Sequence, residues 1–84
     1  MNADNLVYMA NRIGEFFLAM PDRQEALEQI AQHIKRNWAP IMRAELLQLI
    51  DRGGAAALHP PVRDAVLAHR ALLESGTRAA SKPL

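Results

Sequence analysis

Eighty-four residues, half of them hydrophobic, with ten basic side chains against nine acidic and no cysteine, describe a single small domain. The missing cysteines exclude a disulfide framework and a thiolate metal site, and a formal net charge of +1 is far from the basic balance of phosphate-backbone binders. No apolar run approaches the ~20 residues that cross a bilayer, and acidic Asp4 stands where a signal peptide would carry positive charge, so the expectation is a soluble, cytoplasmic protein. A chain of this size buries only roughly 60 to 65% of its unfolded surface, and such a domain often leans on a partner.

Asp4 reads as an N-cap for a first helix from about Asn5 to Ala19, because its carboxylate can accept from the free amides of the first turn. Leu6, Met9, Ala10, Ile13, Phe17 and Met20 recur at helical spacing and form the inward stripe. Gly14 lies inside this helix at about 1 kcal/mol against alanine, a position that suits close approach by another helix. Phe16 widens the apolar arc beyond one core face, as a broad stripe or as part of an outward patch.

Met20-Pro21-Asp22 stops the first helix and opens the second, with Asp22 and Glu25 at capping-box spacing and acidic charge near the positive end of the helix dipole. Leu27, Ile30, Ala31, Ile34 and Trp38 form the second stripe. His33 borders it as a solvated flank residue, since no second imidazole or carboxylate stands at chelating spacing.

The turning point of the chain follows. Proline holds its predecessor extended and is favoured at the first position of a helix, so Ala39-Pro40 ends one helix and starts another. The product is a helix-turn-helix corner at Trp38-Pro40 with the tryptophan wedged at the elbow. The third helix runs from Pro40 to about Arg52 with Met42, Leu46, Leu49 and Ile50 inward. Arg43 lies one position off that stripe, with Glu45 or Asp51 as a nearby ion-pair partner.

Gly53-Gly54 ends the third helix, the first glycine suiting a left-handed C-terminal position. The pair is no phosphate loop, for it lacks a preceding strand and a following Lys-Ser or Lys-Thr. Leu58 anchors a short connector, and His59 falls on its surface. Pro60-Pro61 begins a fourth helix reaching about Glu74, with Val62, Ala65, Val66, His69, Leu72 and Leu73 repeating and His69 a core or interface histidine. From Ser75 the segment SGTRAASKPL is small, polar and aperiodic, the composition of a disordered tail. The whole is an all-α bundle of about four helices over residues 1–74.

No catalytic residue set, cofactor motif or metal-ligand cluster emerges. Two function classes stay open: a subunit or adaptor docking through apolar surface, or a small DNA-binding protein using the corner. The helix after the turn, IMRAELLQLID, is largely apolar with one arginine before its end and makes a poor reader of base edges.

NLVYMANRIGEFF, then MPDRQEALEQIAQHIKRNWAPIMRAELL, RGG and the PPVRDAV helix resemble the delta subunit of the soluble, NAD-dependent, molybdenum-containing formate dehydrogenases, over about Asn5 to Arg70. Met9-Ala10-Asn11 with Ile13 and Phe16-Phe17, the AQHI segment from Ala31 to Ile34, and Trp38 with Pro40, Met42 and Arg43 carry the likeness. Two positions depart from the family pattern, which favours an acid at the place of Ala39 and a base at the place of Ile41. The resemblance implies a non-catalytic accessory role and docking on the catalytic large subunit. It also implies no cofactor in this chain, the molybdenum cofactor, iron-sulfur clusters and FMN residing in partner subunits, in keeping with the lack of thiolates. Phe16, Trp38, Ile41, Met42 and Arg43 are the expected partner-binding residues, since aromatic and arginine anchors dominate interfaces.

Overall fold

The computed structural model describes residues 2–74 of the 84; the expected tail at 75–84 lies outside them. Four α-helices follow one another: α1, Ala3–Phe17; α2, Arg23–Asn37; α3, Pro40–Asp51; and α4, Pro60–Ala68. A 3-10 turn at Gly54–Ala57 joins α3 to α4, and residues 70–74 form a further helical turn. The described residues contain no strand, and the all-α reading holds.

Local chemistry sets most of the boundaries. Asp22 caps α2, its Oδ1 accepting from the amides of Gln24 at 3.0 Å and Glu25 at 3.3 Å. Pro40 and Pro60 each supply a first helical residue whose missing N–H leaves nothing unsatisfied. Gly53 adopts a left-handed φ of 91° at the end of α3, where a side chain would meet the backbone. Three boundaries differ from expectation: α1 stops at Phe17 and not Ala19, α4 stops at Ala68 and not Glu74, and the start of α1 shifts. Asn2, not Asp4, caps α1, its Oδ1 accepting from Asn5 N–H at 2.8 Å, and Asp4 falls in the first turn. Asparagine caps as well as aspartate, and starting two residues earlier leaves Asp4 to favour the positive end of the dipole.

The core gathers Leu6 and Ala10 of α1, Ile30 and Ile34 of α2, Trp38, Leu46 and Leu47 of α3, Leu58, Val62, Ala65 and Val66 of α4, and Leu73. Two inward faces are turned relative to the expected stripes. On α1 the fully buried line is Leu6, Ala10 and Gly14, with Met9, Ile13 and Phe17 half-buried beside it. On α3 it is Arg43, Leu46 and Leu47, with Met42, Leu49 and Ile50 at the margin. Small residues cause the first turn, because Ala10 and Gly14 let neighbouring helices approach where a larger side chain would hold them off.

Gly14 shows how close that approach is. A Cβ built there would stand 2.4 Å from Cγ2 of Val62 on α4, well inside contact distance. Val62 is fully buried and β-branched, so its methyl has no easy alternative rotamer. Gly14→Ala is therefore expected to destabilise the protein by about 1 to 2 kcal/mol, overpacking outweighing the ~1 kcal/mol gained in helix propensity. In urea titrations the Val62→Ala background should lessen that loss. Equal losses in both backgrounds would remove the clash as its cause.

Asn11 ties α1 to the connector before α4. Its Nδ2 donates to Ala57 O at 3.2 Å and its Oδ1 accepts from His59 N–H at 2.8 Å, a two-point clamp that presents His59 as the residue ahead of α4. The fourth helix breaks at His69, whose φ and ψ of −119° and 32° leave the helical range, and whose carbonyl then accepts from the amides of Leu72 and Leu73. This break redirects residues 70–74, burying Leu73 completely. His69 is thus a half-buried hinge residue between two helical pieces.

Two sets of surface ion pairs tie the pieces together. Arg70 grips both carboxylate oxygens of Asp51 at 2.8 Å and Glu74 at 2.8 Å, while Arg23 of α2 meets Asp64 of α4 at 2.6 Å. These hydrogen bonds hold the Asp51 and Asp64 carboxyls below the usual carboxylate range.

Candidate functional site

Arg43 occupies the elbow between α2 and α3 and is only 4% exposed. It does not meet Glu45 or Asp51, the latter being held by Arg70. Its Nε donates to Leu73 O at 3.0 Å, and one terminal nitrogen donates to Lys35 O at 3.1 Å and Trp38 O at 3.0 Å. Lys35 and Trp38 are the last-turn and C-cap residues of α2, and Leu73 belongs to the helical residues 70–74. Helix ends leave carbonyls without intrahelical donors and carry partial negative charge. The guanidinium therefore caps the C-terminal end of α2 and ties it to the Leu73 carbonyl, and its planar fork reaches carbonyls in several directions where an ammonium would act as a point charge. No buried side-chain nitrogen or oxygen among the described residues lacks a hydrogen-bond partner.

Trp38 lies behind this cap, 5% exposed and packed in the core. Its backbone N–H closes α2 onto Ile34 O at 2.9 Å, and its extended φ and ψ turn the chain into Pro40. Of the five expected contact residues, Trp38 and Arg43 thus lie inside the elbow and Met42 is half-buried against the core. Phe16 and Ile41 stand outside, 78% and 69% exposed.

Phe16 belongs to a surface feature that helical spacing alone left unnoticed. Tyr8, Arg12 and Phe16 recur every four residues on the outer side of α1, all exposed. Beside them runs a groove between α1 and α2, in two adjoining parts. The part of about 400 Å³ is lined by Tyr8, Met9, Arg12, Ile13, His33, Asn37 and Trp38, and the part of about 300 Å³ by Arg12, Ile13, Phe16, Phe17 and His33. Trp38 lines the first part and Phe16 the second, the two parts sharing Arg12, Ile13 and His33. The signal in the sequence was the Tyr8-Arg12-Phe16 row, large side chains on the face opposite the core stripe.

The groove is internally ordered. The rings of Phe16 and Phe17 meet edge to face at 4.9 Å between centroids, and His33 approaches Phe17 at 6.2 Å, arrangements that suit the ring quadrupoles. Arg12 donates to the Tyr8 hydroxyl at 3.1 Å and its guanidinium lies 5.9 Å from the Tyr8 ring centre, a cation–π contact. Glu15 stands 3.7 Å from Arg12, outside hydrogen-bonding range. Among the described residues no group of three or more His, Cys, Asp and Glu is placed to hold a metal ion, and no helix is long and apolar enough to cross a membrane.

Together these features define a small all-α bundle protein with an arginine-capped elbow and an aromatic groove on its outer face. The particular family follows from comparison with family models: that of the NADH-dependent formate dehydrogenase delta subunit, FdsD, matches residues 5–66, and the chain belongs to this family. It is a delta subunit of a formate dehydrogenase complex and partners other subunits of that enzyme. No curated protein and no solved structure matches the chain.

Proposed function

We propose that this delta subunit is a non-catalytic accessory chain that docks on the catalytic large subunit of a cytoplasmic NAD-dependent formate dehydrogenase and supports assembly or stability of the complex. Formate oxidation belongs to that complex. The molybdenum cofactor, iron-sulfur clusters and FMN reside in its other subunits, and this chain carries none.

One observation carries the reading: the core is complete, yet Phe16 and Ile41 remain largely exposed, with Tyr8, Leu18 and Leu67 also more than half exposed. Large apolar side chains left outside a filled core favour a partner that covers them. Phe16 and Ile41 make direct contact in this reading, with the outer edge of Met42. Trp38 and Arg43 act behind them by fixing the elbow from which Ile41 and Met42 project. DNA binding loses support on the same ground, because the arginine of α3 is consumed by backbone carbonyls and no longer available to base edges.

The test is gentle purification of the tagged chain from its native cell. A large iron-sulfur molybdoprotein with formate-dependent NAD reduction is expected to elute with it. The Phe16→Ser, Ile41→Ser double variant should weaken binding roughly a thousandfold, as two anchors of ~2 kcal/mol would demand. Absence of any formate-oxidising subunit from the wild-type eluate would refute the proposal.

A further inference from the structure

We infer that residues 70–74 form a strap, hinged at His69, whose closing against Arg43 locks the elbow between α2 and α3. The strap is a motion within this chain and stands whether or not the docking role proposed above holds.

The segment is built as a separate moving part. The path of α4 ends at His69, whose φ and ψ of −119° and 32° leave the helical range. A helical piece this short has no stability of its own, because nucleation costs more than one turn of hydrogen bonds returns. Its hold on the bundle is concentrated in few groups. Leu73 is completely buried in the core, and its carbonyl accepts from Arg43 Nε at 3.0 Å. Arg70 grips Asp51 at the end of α3 through two bonds of 2.8 Å, while Ala71 is exposed and Leu72 half-buried. Segments held by few buried contacts and by exposed ion pairs open before the body of a domain does.

Arg43 carries the state of the strap to the elbow. Its guanidinium is 4% exposed and joins the Leu73 carbonyl to those of Lys35 and Trp38 at the end of α2. A buried charge depends on its acceptors. When residues 70–74 lift away, Nε loses its acceptor and water reaches the guanidinium, so the bonds to α2 compete with solvent. The end of α2 is then no longer fixed against the first turn of α3. Closed, the strap holds Ile41 and Met42, the neighbours of Arg43, in one position; only the value of that to a partner rests on the docking reading.

Amide hydrogen exchange on the full chain, read residue by residue by NMR, tests the coupling in the wild type and in the Asp51→Asn and Leu73→Ala variants. The Leu73 amide, bonded to His69 O, reports the strap; the Trp38 and Arg43 amides, bonded to Ile34 O and Ala39 O, report the elbow. Asp51 lies eight residues beyond Arg43, about 12 Å along α3, so its replacement acts on the strap and not directly on the elbow. In the wild type, strap and elbow amides are expected to exchange at least about tenfold faster than that of Ile30 in the middle of α2. Asp51→Asn should speed the Leu73, Trp38 and Arg43 amides by one common factor of about three, and Leu73→Ala by a common factor of about ten or more. The Leu18 and Met20 amides at the far end of α1 should stay within about twofold of wild type in both, since local opening there leaves the strap closed. Acceleration at Leu73 with Trp38 and Arg43 unmoved overturns the inference, the elbow then opening by itself. Wild-type strap or elbow amides as slow as Ile30 overturn it too, because the strap then opens only with the whole bundle.

Discussion

Replacing Arg43 with methionine should lower the stability of the free chain by about 3 to 5 kcal/mol, enough to leave much of it unfolded near 37 °C. Methionine keeps much of the apolar stem but withdraws three hydrogen bonds at once, from Lys35, Trp38 and Leu73. Each buried carbonyl left without a donor is worth about 1 to 3 kcal/mol, and charged donors stand at the upper end. Lys35 O is only part-buried and recovers a water, which sets the sum below the threefold maximum. A native stability of ~5 to 15 kcal/mol cannot absorb much more. In a chain this short, 1 kcal/mol shifts the melting temperature by about 4 to 8 °C, so the thermal midpoint should fall by 12 °C or more. Arg43→Lys should recover only part of this, since one ammonium cannot span carbonyls on two separate segments. A melting curve for Arg43→Met within a few degrees of wild type would show that the three bonds are dispensable.

Trp38→Ala should cost a similar amount, about 3 to 5 kcal/mol, by emptying the largest side chain from the core. The alanine variant loses both the ring that fills the elbow and the bulk that separates α2 from α3. Phe16→Ser offers the contrast, since a residue 78% exposed contributes within about 0.5 kcal/mol to the fold. Denaturant titrations of the two single variants, followed by circular dichroism, check the pair. Were Trp38→Ala as stable as Phe16→Ser, the tryptophan would belong to the surface and not to the elbow.

The two variants also separate what the family resemblance is made of. Ala10, Asn11, Ala31, Ile34, Trp38, Pro40 and Arg43 all turn out to serve the architecture. They allow close helix approach, clamp the connector before α4, fill the core or cap helix ends. Phe16 is the aromatic member of the resembling set that faces outward, Phe17 being half-buried and Trp38 buried. The likeness to formate dehydrogenase delta subunits is therefore written largely in residues that hold the fold.

The order of the four main helices, the Asp22 cap, the Pro40 corner and the left-handed Gly53 were determined by the sequence itself. Each depends on interactions within a few residues, where spacing, capping chemistry and backbone freedom act directly. Gly14 was half legible: its cost inside a helix was plain, but the partner that requires it, Val62, lies 48 residues away. Only the tertiary structure decided the rest. It turned Arg43 inward, since the end of α2 and the carbonyl of Leu73, distant in sequence, meet around it. It broke α4 at His69 so that Leu73 could bury, and it made a groove from one row of α1 side chains and a facing row on α2. Long-range contacts of this kind arise from how helices pack, and no periodicity along a single helix records which neighbour will lie against it.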